Sequence, residues 1–325
     1  MRRLRRRRIA DRRGERKDLC PLKPLDDQSL ARNRAVCCEV AADAVLRLRM
    51  ECLPEFRRKP GPVHGEPLPV SFLKHADEQT VAGLGAVFQA LDKSGLHSTC
   101  FRDWGVVAAP RFLGRPAMAA ALQRFAAEGA WGVSPHLIPH RSLHSMSGTV
   151  SQALKIYGPN FGVGGGPGGA IEALLAAMAL LERKRLPGVW VVLTCLDPEL
   201  PPDASEHPIP GVQAIGLALA LIPAKQHDNR IRLHFVHDSS AKSHLASVHG
   251  SGFDLLRLET LLNVLHDSRG AETTLIQLLE GGHRIELSRN NGVEPIDPSG
   301  WHSSRDCEEA EVASTPIRSR LGCVR

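Results

Sequence analysis

Between Gly158 and Gly169 the chain reads GPNFGVGGGPGG, seven glycines in twelve residues, and an apolar helical pattern, AIEALLAAMALLE, follows directly. Free amides in such a loop, and at the start of the helix behind it, can donate to a negatively charged group. Gly164, Gly166 and Gly169 fit the G-x-G-x-x-G spacing of a dinucleotide site. The surroundings argue against that fit. The stretch that could serve as the preceding strand is only NFGV, and Asp197, the acid ending the next strand, lies 28 residues past Gly169 rather than about 20. No Gly-Lys-Ser/Thr triplet occurs, which excludes a P-loop. A third reading is purely structural: glycines let two backbones approach closely with no ligand between them.

The other reactive side chains are scattered. Cys20, Cys37, Cys38, Cys52, Cys100, Cys195, Cys307 and Cys323 form no C-x-x-C pair, so zinc-site and redox spacings are missing and free thiols are expected. Pro139 separates His136 from His140, while His140 and His144, four apart, could share a helix face. No acidic partner follows at ligand spacing, and neither a metal nor a cofactor is expected. Cys195 lies within an apolar run and reads as a buried small hydrophobe. Ser145, Ser147 and Ser151 fall on the helix before the loop, where they cap or pack.

The elements that must position these residues follow from hydrophobic period. An amphipathic helix is expected over 77–91, capped by Asp77, then a strand at 104–110, an Ala-rich helix at 116–127 and a loop at 134–140. A helix over 142–156 leads into the glycine loop, and a second one over about 168–185 leads out of it. GVWVVLTCLD (188–197) is apolar on both faces, as a buried central strand should be. Strands are expected at 214–224, 230–237 and 283–289, and helices at 254–265 and 272–280. Residues 29–55 read as a helix, because AVCCEVAADAVLRLRM repeats its apolar residues at helical spacing, and KPGPVHGEPLP (59–69) reads as a linker. Strands alternating with helices imply a layered α/β domain over 70–290, preceded by a tail (1–27) and a helix with linker (28–69), and followed by a polar, disordered tail (291–325).

Charge is concentrated at one end. Residues 1–17 carry ten Arg and Lys against Asp11 and Glu15, so the chain's net charge of +6 belongs to this tail and the body is mildly acidic. A run of like charge stays solvated, and without interleaved aromatics a nucleic-acid site is not expected. No run approaches the roughly 18 apolar residues of a membrane span, and the N-terminus has no signal-peptide apolar region, so a soluble, cytoplasmic protein is expected.

The run WGVSPHLIPHRSLHSMSGTVSQALKIYGPNFGVGGGPGGAIEALLAAMALLERKRLPGVWVVLTC resembles the N-terminal half of β-ketoacyl synthases, in the thiolase-like superfamily. The carrying features are Ser134-Pro135, the 142–156 helix, Gly158-Pro159, the short strand at Phe161–Val163, the helix after Gly168 and the strand Val189–Cys195. The likeness spans roughly 75–225, with AIGLALALIPA similar to the family's Gly-Ala-rich closing strand. It implies a layered α/β/α thiolase-like half-fold. In that family a cysteine heads the buried helix, where the helix dipole favours thiolate and free amides stabilise the oxyanion of thioester attack. Here that position falls on Pro167, with Gly166, Gly168 and Gly169 around it. Proline suits a first helical position but carries no nucleophile.

The family's two histidine turns are missing as well: VHGSG (248–252) offers His249 only 82 residues after Pro167, and nothing matches the second. The resemblance therefore implies a degenerate, non-catalytic partner, similar to a chain-length factor, in fatty-acid or polyketide-type biosynthesis. Its implied partners are a second synthase-like chain, as homo- or heterodimer through the 142–156 helix and the strand near Phe161, and acyl carrier protein. Gly166, Gly168, Gly169 and Phe161 are the implied acyl-binding residues. A half-fold is expected to leave apolar surface uncovered, which oligomerisation would cover. The alternatives are an acyltransferase or 3-oxoacyl synthase of altered mechanism, and dinucleotide binding at Gly164, Gly166 and Gly169.

Overall fold

A computed structural model describes residues 36–58, 62–63, 66–135, 137–166, 168–184, 186–200, 211–224, 230–237, 254–268, 273–278 and 283–289. Both tails lie outside this range. The strands are β1 (Val36–Arg49), β2 (Pro62–Val63), β3 (Glu66–Pro67), β4 (Gly105–Pro110), β5 (Asn160–Gly162), β6 (Val189–Asp197), β7 (Gln213–Pro223), β8 (Ile231–His237), β9 (Thr273–Leu278) and β10 (His283–Arg289). The helices are α1 (Leu53–Arg58), α2 (Glu78–Ser94), α3 (Arg115–Glu128), α4 (Leu137–Arg141), α5 (Leu143–Ala153), α6 (Gly169–Lys184) and α7 (Leu255–Asp267). Eight strands form one sheet in the order β5-β4-β6-β7-β1-β8-β10-β9, and β2 pairs with β3 apart from it. β5, β4 and β6 run parallel; every pair from β6–β7 to β10–β9 is antiparallel.

Strand β7 shows how sequence sets the layers. In AIGLALALI the large residues Ile215, Leu217, Leu219 and Leu221 point to one core, and the small Ala218 and Ala220, with Ile222, point to the other. Helix α6 packs on the large-residue face, where α7 also contributes Leu258, Leu262 and Leu265. Helices α2 and α5 cover the small-residue face, together with a cluster of Phe101, Trp104 and Trp190. Small residues let α2 lie almost on the sheet backbone: a Cβ on Gly216 would collide with the carbonyl oxygen of Ala82. The expected cap holds, since Asp77 accepts from Thr80 N at 2.9 Å and from Thr80 Oγ1 at 2.6 Å. Burial pushes the Asp77 carboxyl up, while the Thr80 bonds work to lower it.

Two expected helices are strands. Residues 36–49 form β1, which pairs with β7 over Cys38–Arg49 and with β8 over Val36–Val40. The sheet therefore already includes Val36, well before the expected domain start at 70. Ala, Leu, Arg and Glu favour helix locally, but pairing on both edges outweighs that preference. The helical look of the pattern also has a cause. A bulge between Val40 and Ala42 exchanges the faces, so Cys38 and Val40 join the α6 core and Ala42, Ala44 and Leu48 join the α2 core. Residues 273–278 form β9 rather than a helix; TTLIQL is rich in β-branched residues. The expected loop at 134–140 contains the short helix α4.

Both faces of the central strands are thus covered, and the exposed large apolar residues sit elsewhere, chiefly on α3 and the turn after it. No helix among the described residues is long and apolar enough to cross a membrane. Helix α7 is clasped to β1 by Arg47–Glu259 and by His266, whose Nε2 lies 3.0 Å from the Asp43 carboxylate. The hydrogen bond to Asp43 raises the His266 pKa, against desolvation, which lowers it.

Two outcomes follow. Replacing Gly216 by Val should lower the thermal midpoint in circular dichroism, since overpacking of this kind costs about 1–3 kcal/mol and each kcal/mol is worth about 2–4 °C in a chain of this size. A raised histidine pKa stabilises the fold fully below the unfolded value near 6.5, and the contribution disappears as pH rises through the folded value. The stability gap between the wild type and His266→Ala, read by urea unfolding, should therefore be widest at about pH 5–6 and shrink towards pH 8.

Candidate functional site

The glycine loop joins β5 to α6 at the carboxyl ends of the parallel strands, where open α/β sheets place ligands. It is stitched to β4 by Val163 N donating to Ala108 O (2.8 Å) and Phe112 N donating to Gly165 O (2.9 Å). Arg111 N continues the ladder to Thr194 O on β6 at 2.8 Å. Gly164 and Gly165 have φ of 72° and 98°, in the region that favours glycine. A Cβ on Gly164 would stand 2.6 Å from Gly169 Cα, so the loop folds back onto the start of its own helix. Close backbone approach, the structural reading, accounts for Gly164. It does not account for Gly166, where a Cβ would meet nothing within 4 Å.

Several amides at the helix start are already engaged. Gly169 N donates to Gly166 O, and Ile171 N and Glu172 N donate to Gly168 O. The Glu172 carboxylate lies over the loop, 3.3 Å from the Cβ position of Gly164 and 3.9 Å from that of Gly168. An anionic side chain there opposes a pyrophosphate, so the Gly164, Gly166 and Gly169 spacing is poorly suited to a dinucleotide.

Above α6 is a cavity of about 20 Å³, room for one water, bordered by Gly166, Gly169, Thr194, Cys195, Arg111 and Asp254. Leu255 and Leu256 of α7 also line it. Arg111 Nη1 lies 3.3 Å from Asp254 Oδ2 and its Nε 3.6 Å from Glu199 Oε2. Asp254 in turn caps α7, accepting from Arg257 N at 3.0 Å. Beneath, the buried Gln79 accepts from Thr194 Oγ1 at 2.8 Å and donates to Arg111 O at 2.9 Å. Burial pushes the Glu199 carboxyl up, while Arg111 and Arg115 work to lower it.

Among the expected site residues, Gly166 and Gly169 line this cavity, Gly168 is exposed beside it, and Phe161 packs partly buried against the α6 core. Pro167, His136 and the VHGSG turn with His249 lie outside the described residues. Cys195 is buried as expected, but it borders the seat at the head of α6. Burial pushes its thiol up to about 12, with Arg111 lowering it and Glu199, Asp197 and Asp254 raising it further. At neutral pH it is a thiol rather than a thiolate, and so a poor nucleophile. The serines are committed to local bonds: Ser145 donates to Ser142 O, Ser147 to His144 O and Ser151 to Ile156 O. His140 and His144 do not share a helix, since Ser142 separates α4 from α5; His140 instead faces His75, ring centroids 5.5 Å apart.

Sequence reasoning missed Arg111, Glu199, Asp254 and the Gln79–Thr194 pair. A signal existed for two of them: a lone cation just past an apolar strand, and an Asp immediately before a helical run.

No family model and no curated protein matches the sequence. Solved structures do match. The ishigamide ketosynthase/chain length factor structure superposes at a TM-score of 0.50 and 14% identity, over 78% of this chain and 99% of that one. The ketosynthase ApeO in complex with its chain length factor ApeC, from Xenorhabdus doucetiae, aligns over the same shares at a TM-score of 0.49 and 14% identity. A β-ketoacyl synthase from Burkholderia phymatum STM815 aligns over 59% of each chain at a TM-score of 0.39 and 14% identity. The fold is ketosynthase-like, of the thiolase type, as the sequence resemblance implied.

The thiol state can be read directly. Iodoacetamide at pH 8, followed by peptide mass spectrometry, should label the exposed Cys100 in the folded protein and reach Cys195 only after denaturation. Equal labelling rates for the two would show that Cys195 is an accessible, ionised thiol.

Proposed function

We propose that this chain is the non-catalytic, chain-length-factor-like partner of a synthase-like chain in fatty-acid or polyketide-type biosynthesis. The seat at the head of α6 carries this reading. In sequence the nucleophile's position is Pro167, and among the described residues the one thiol bordering the seat, Cys195, is held protonated by burial. The cavity in front of it has room for one water and no acyl chain. Likeness of fold to a ketosynthase/chain length factor structure, over nearly all of that chain, supports the same reading.

On this reading the chain pairs with its partner through α5 and the edge strand β5. The acyl group is then handled at the shared boundary and not inside this chain. Gly166, Gly168 and Gly169 are the residues that would border it, with Phe161 packed behind the loop. An acyl carrier protein is the second partner, delivering the thioester to the pair.

One observation favours an alternative. Cys195 stands at the seat, so an acyltransferase or 3-oxoacyl synthase of altered mechanism would have a sulfur within reach if its thiol could ionise. Incubation with radiolabelled acyl-CoA, and separately with acylated carrier protein, decides between them. No covalent adduct is expected on the wild type. A stable thioester on Cys195, lost in Cys195→Ser, would establish the enzyme reading instead.

A further inference from the structure

Outside residues 1–17 the chain is mildly acidic, yet one corner of the body gathers cations. Helix α1 and the turn at 70–74 border a cleft of about 610 Å³, lined by Pro54, Arg57, Arg58, Val70, Ser71 and Lys74. Three of these six side chains are cationic and none is acidic. The volume lies within the range of clefts that hold small organic ligands, about 300–1,000 Å³. The cavity at the seat, by contrast, has room for a single water, and the two share no lining residue.

Local folding sets these side chains in place without a ligand. Arg57 is anchored from behind, its Nη2 donating to Ala76 O at 2.8 Å and to Glu78 Oε1 at 3.3 Å. Arg58 Nε donates back to Pro54 O, one turn earlier, at 3.1 Å. In the turn, Phe72 N donates to Pro69 O at 2.8 Å and Lys74 N to Ser71 O at 3.1 Å, which keeps Ser71 and Lys74 together. Donors held in this way have less freedom to lose on binding. Nor are the charges cancelled from within. Glu78, the carboxylate on Arg57, is shared with Arg141, whose Nη1 lies 3.4 Å from Glu78 Oε2. Among the described residues, the Lys74 ammonium and the Ser71 hydroxyl have no hydrogen-bond or ion-pair partner.

We propose that this cleft binds a phosphorylated small molecule, with Arg58 and Lys74 on the phosphate, Ser71 as a further donor and Arg57 adding charge. The residue types suit that group. Arginine offers a planar fork to two phosphate oxygens, and lysine a compact charge with rotatable donors. Pro54 and Val70, the latter 71% exposed, give the organic part of the ligand an apolar surface to rest on. An acidic polypeptide would meet the same charges but has no need of a recess of this size. The site is independent of the function proposed above, and adds a small-molecule ligand away from the seat.

The probe is inorganic pyrophosphate, and the readout is lysine acetylation in the full, folded chain, followed by peptide mass spectrometry. The reaction is run at about 0.15 M ionic strength, where exposed charges are screened beyond about 8 Å. Pyrophosphate should protect Lys74 saturably, with half-protection at or below ~1 mM and about 11-fold slowing at ten times that concentration. Lys93, exposed at the far end of α2, should react at an unchanged rate. Each lysine is read separately, so anion binding by the Arg-rich residues 1–17 does not enter the result. Arg58→Gln, at an exposed position, should raise the half-protecting concentration by about 10-fold, and Ser71→Ala should raise it by less. Unchanged circular dichroism shows that both variants fold. Lys74 left unprotected at ~10 mM pyrophosphate overturns the proposal. So does equal slowing of Lys74 and Lys93, which is ionic screening only. Protection of Lys74 by polyglutamate but not by pyrophosphate makes the occupant an acidic polypeptide, and the assigned ligand class is then wrong.

Discussion

The antiparallel pairing of β7 with β1 is the seam on which the molecule depends. On one side of β7 lie the parallel strands β6, β4 and β5, which carry the glycine loop; on the other lies the antiparallel run that begins with β1. β7 is buried on both faces along almost its whole length, with its large residues to one side and its small ones to the other. An unpaired β7 would expose two apolar faces and a full row of backbone groups. The small side then fixes the distance of α2, and α2 places Gln79 under the end of β4. The geometry of the seat is thus inherited from the spacing of Gly, Ala and Leu two strands away.

Much of the architecture was legible in the sequence. β4, β6, β7, β8 and β10 announce themselves as apolar or alternating runs, and α2, α5, α6 and α7 by their period and, for α2, by the Asp77 cap. What could not be read depended on partners distant in sequence. β1 looks helical because its composition favours helix and its bulge scrambles the alternation. β9 is a short segment whose state is decided by β10. The site divided the same way. The loop and the helix behind it were visible as local sequence, whereas Arg111, Glu199 and Asp254 meet from positions up to 143 residues apart.

At the seat, desolvation outweighs charge. A helix N-terminus and Arg111 both favour an anion beside Cys195, yet burial leaves the thiol protonated, with three carboxylates reinforcing the effect. The surroundings that would activate a cysteine in an open site are present in part, and burial removes their benefit. Arg111, a guanidinium at the end of an apolar strand, needs counter-charges, and Glu199 and the α7 cap Asp254 provide them.

The bulge in β1 has a consequence for how the molecule comes apart. One strand contributes Cys38 and Val40 to the first core and Ala42, Ala44 and Leu48 to the second, so neither layer has a private set of strands. Melting one layer must strip residues from a strand that the other layer still needs. The two helical layers are therefore bound into a single cooperative unit, with amide hydrogens on both faces exchanging through one common opening. Val40 and Ala42 already pair with the consecutive residues Leu221 and Ala220, so a one-residue deletion at Ala41 would restore the regular ladder and leave each half of the strand on its own core.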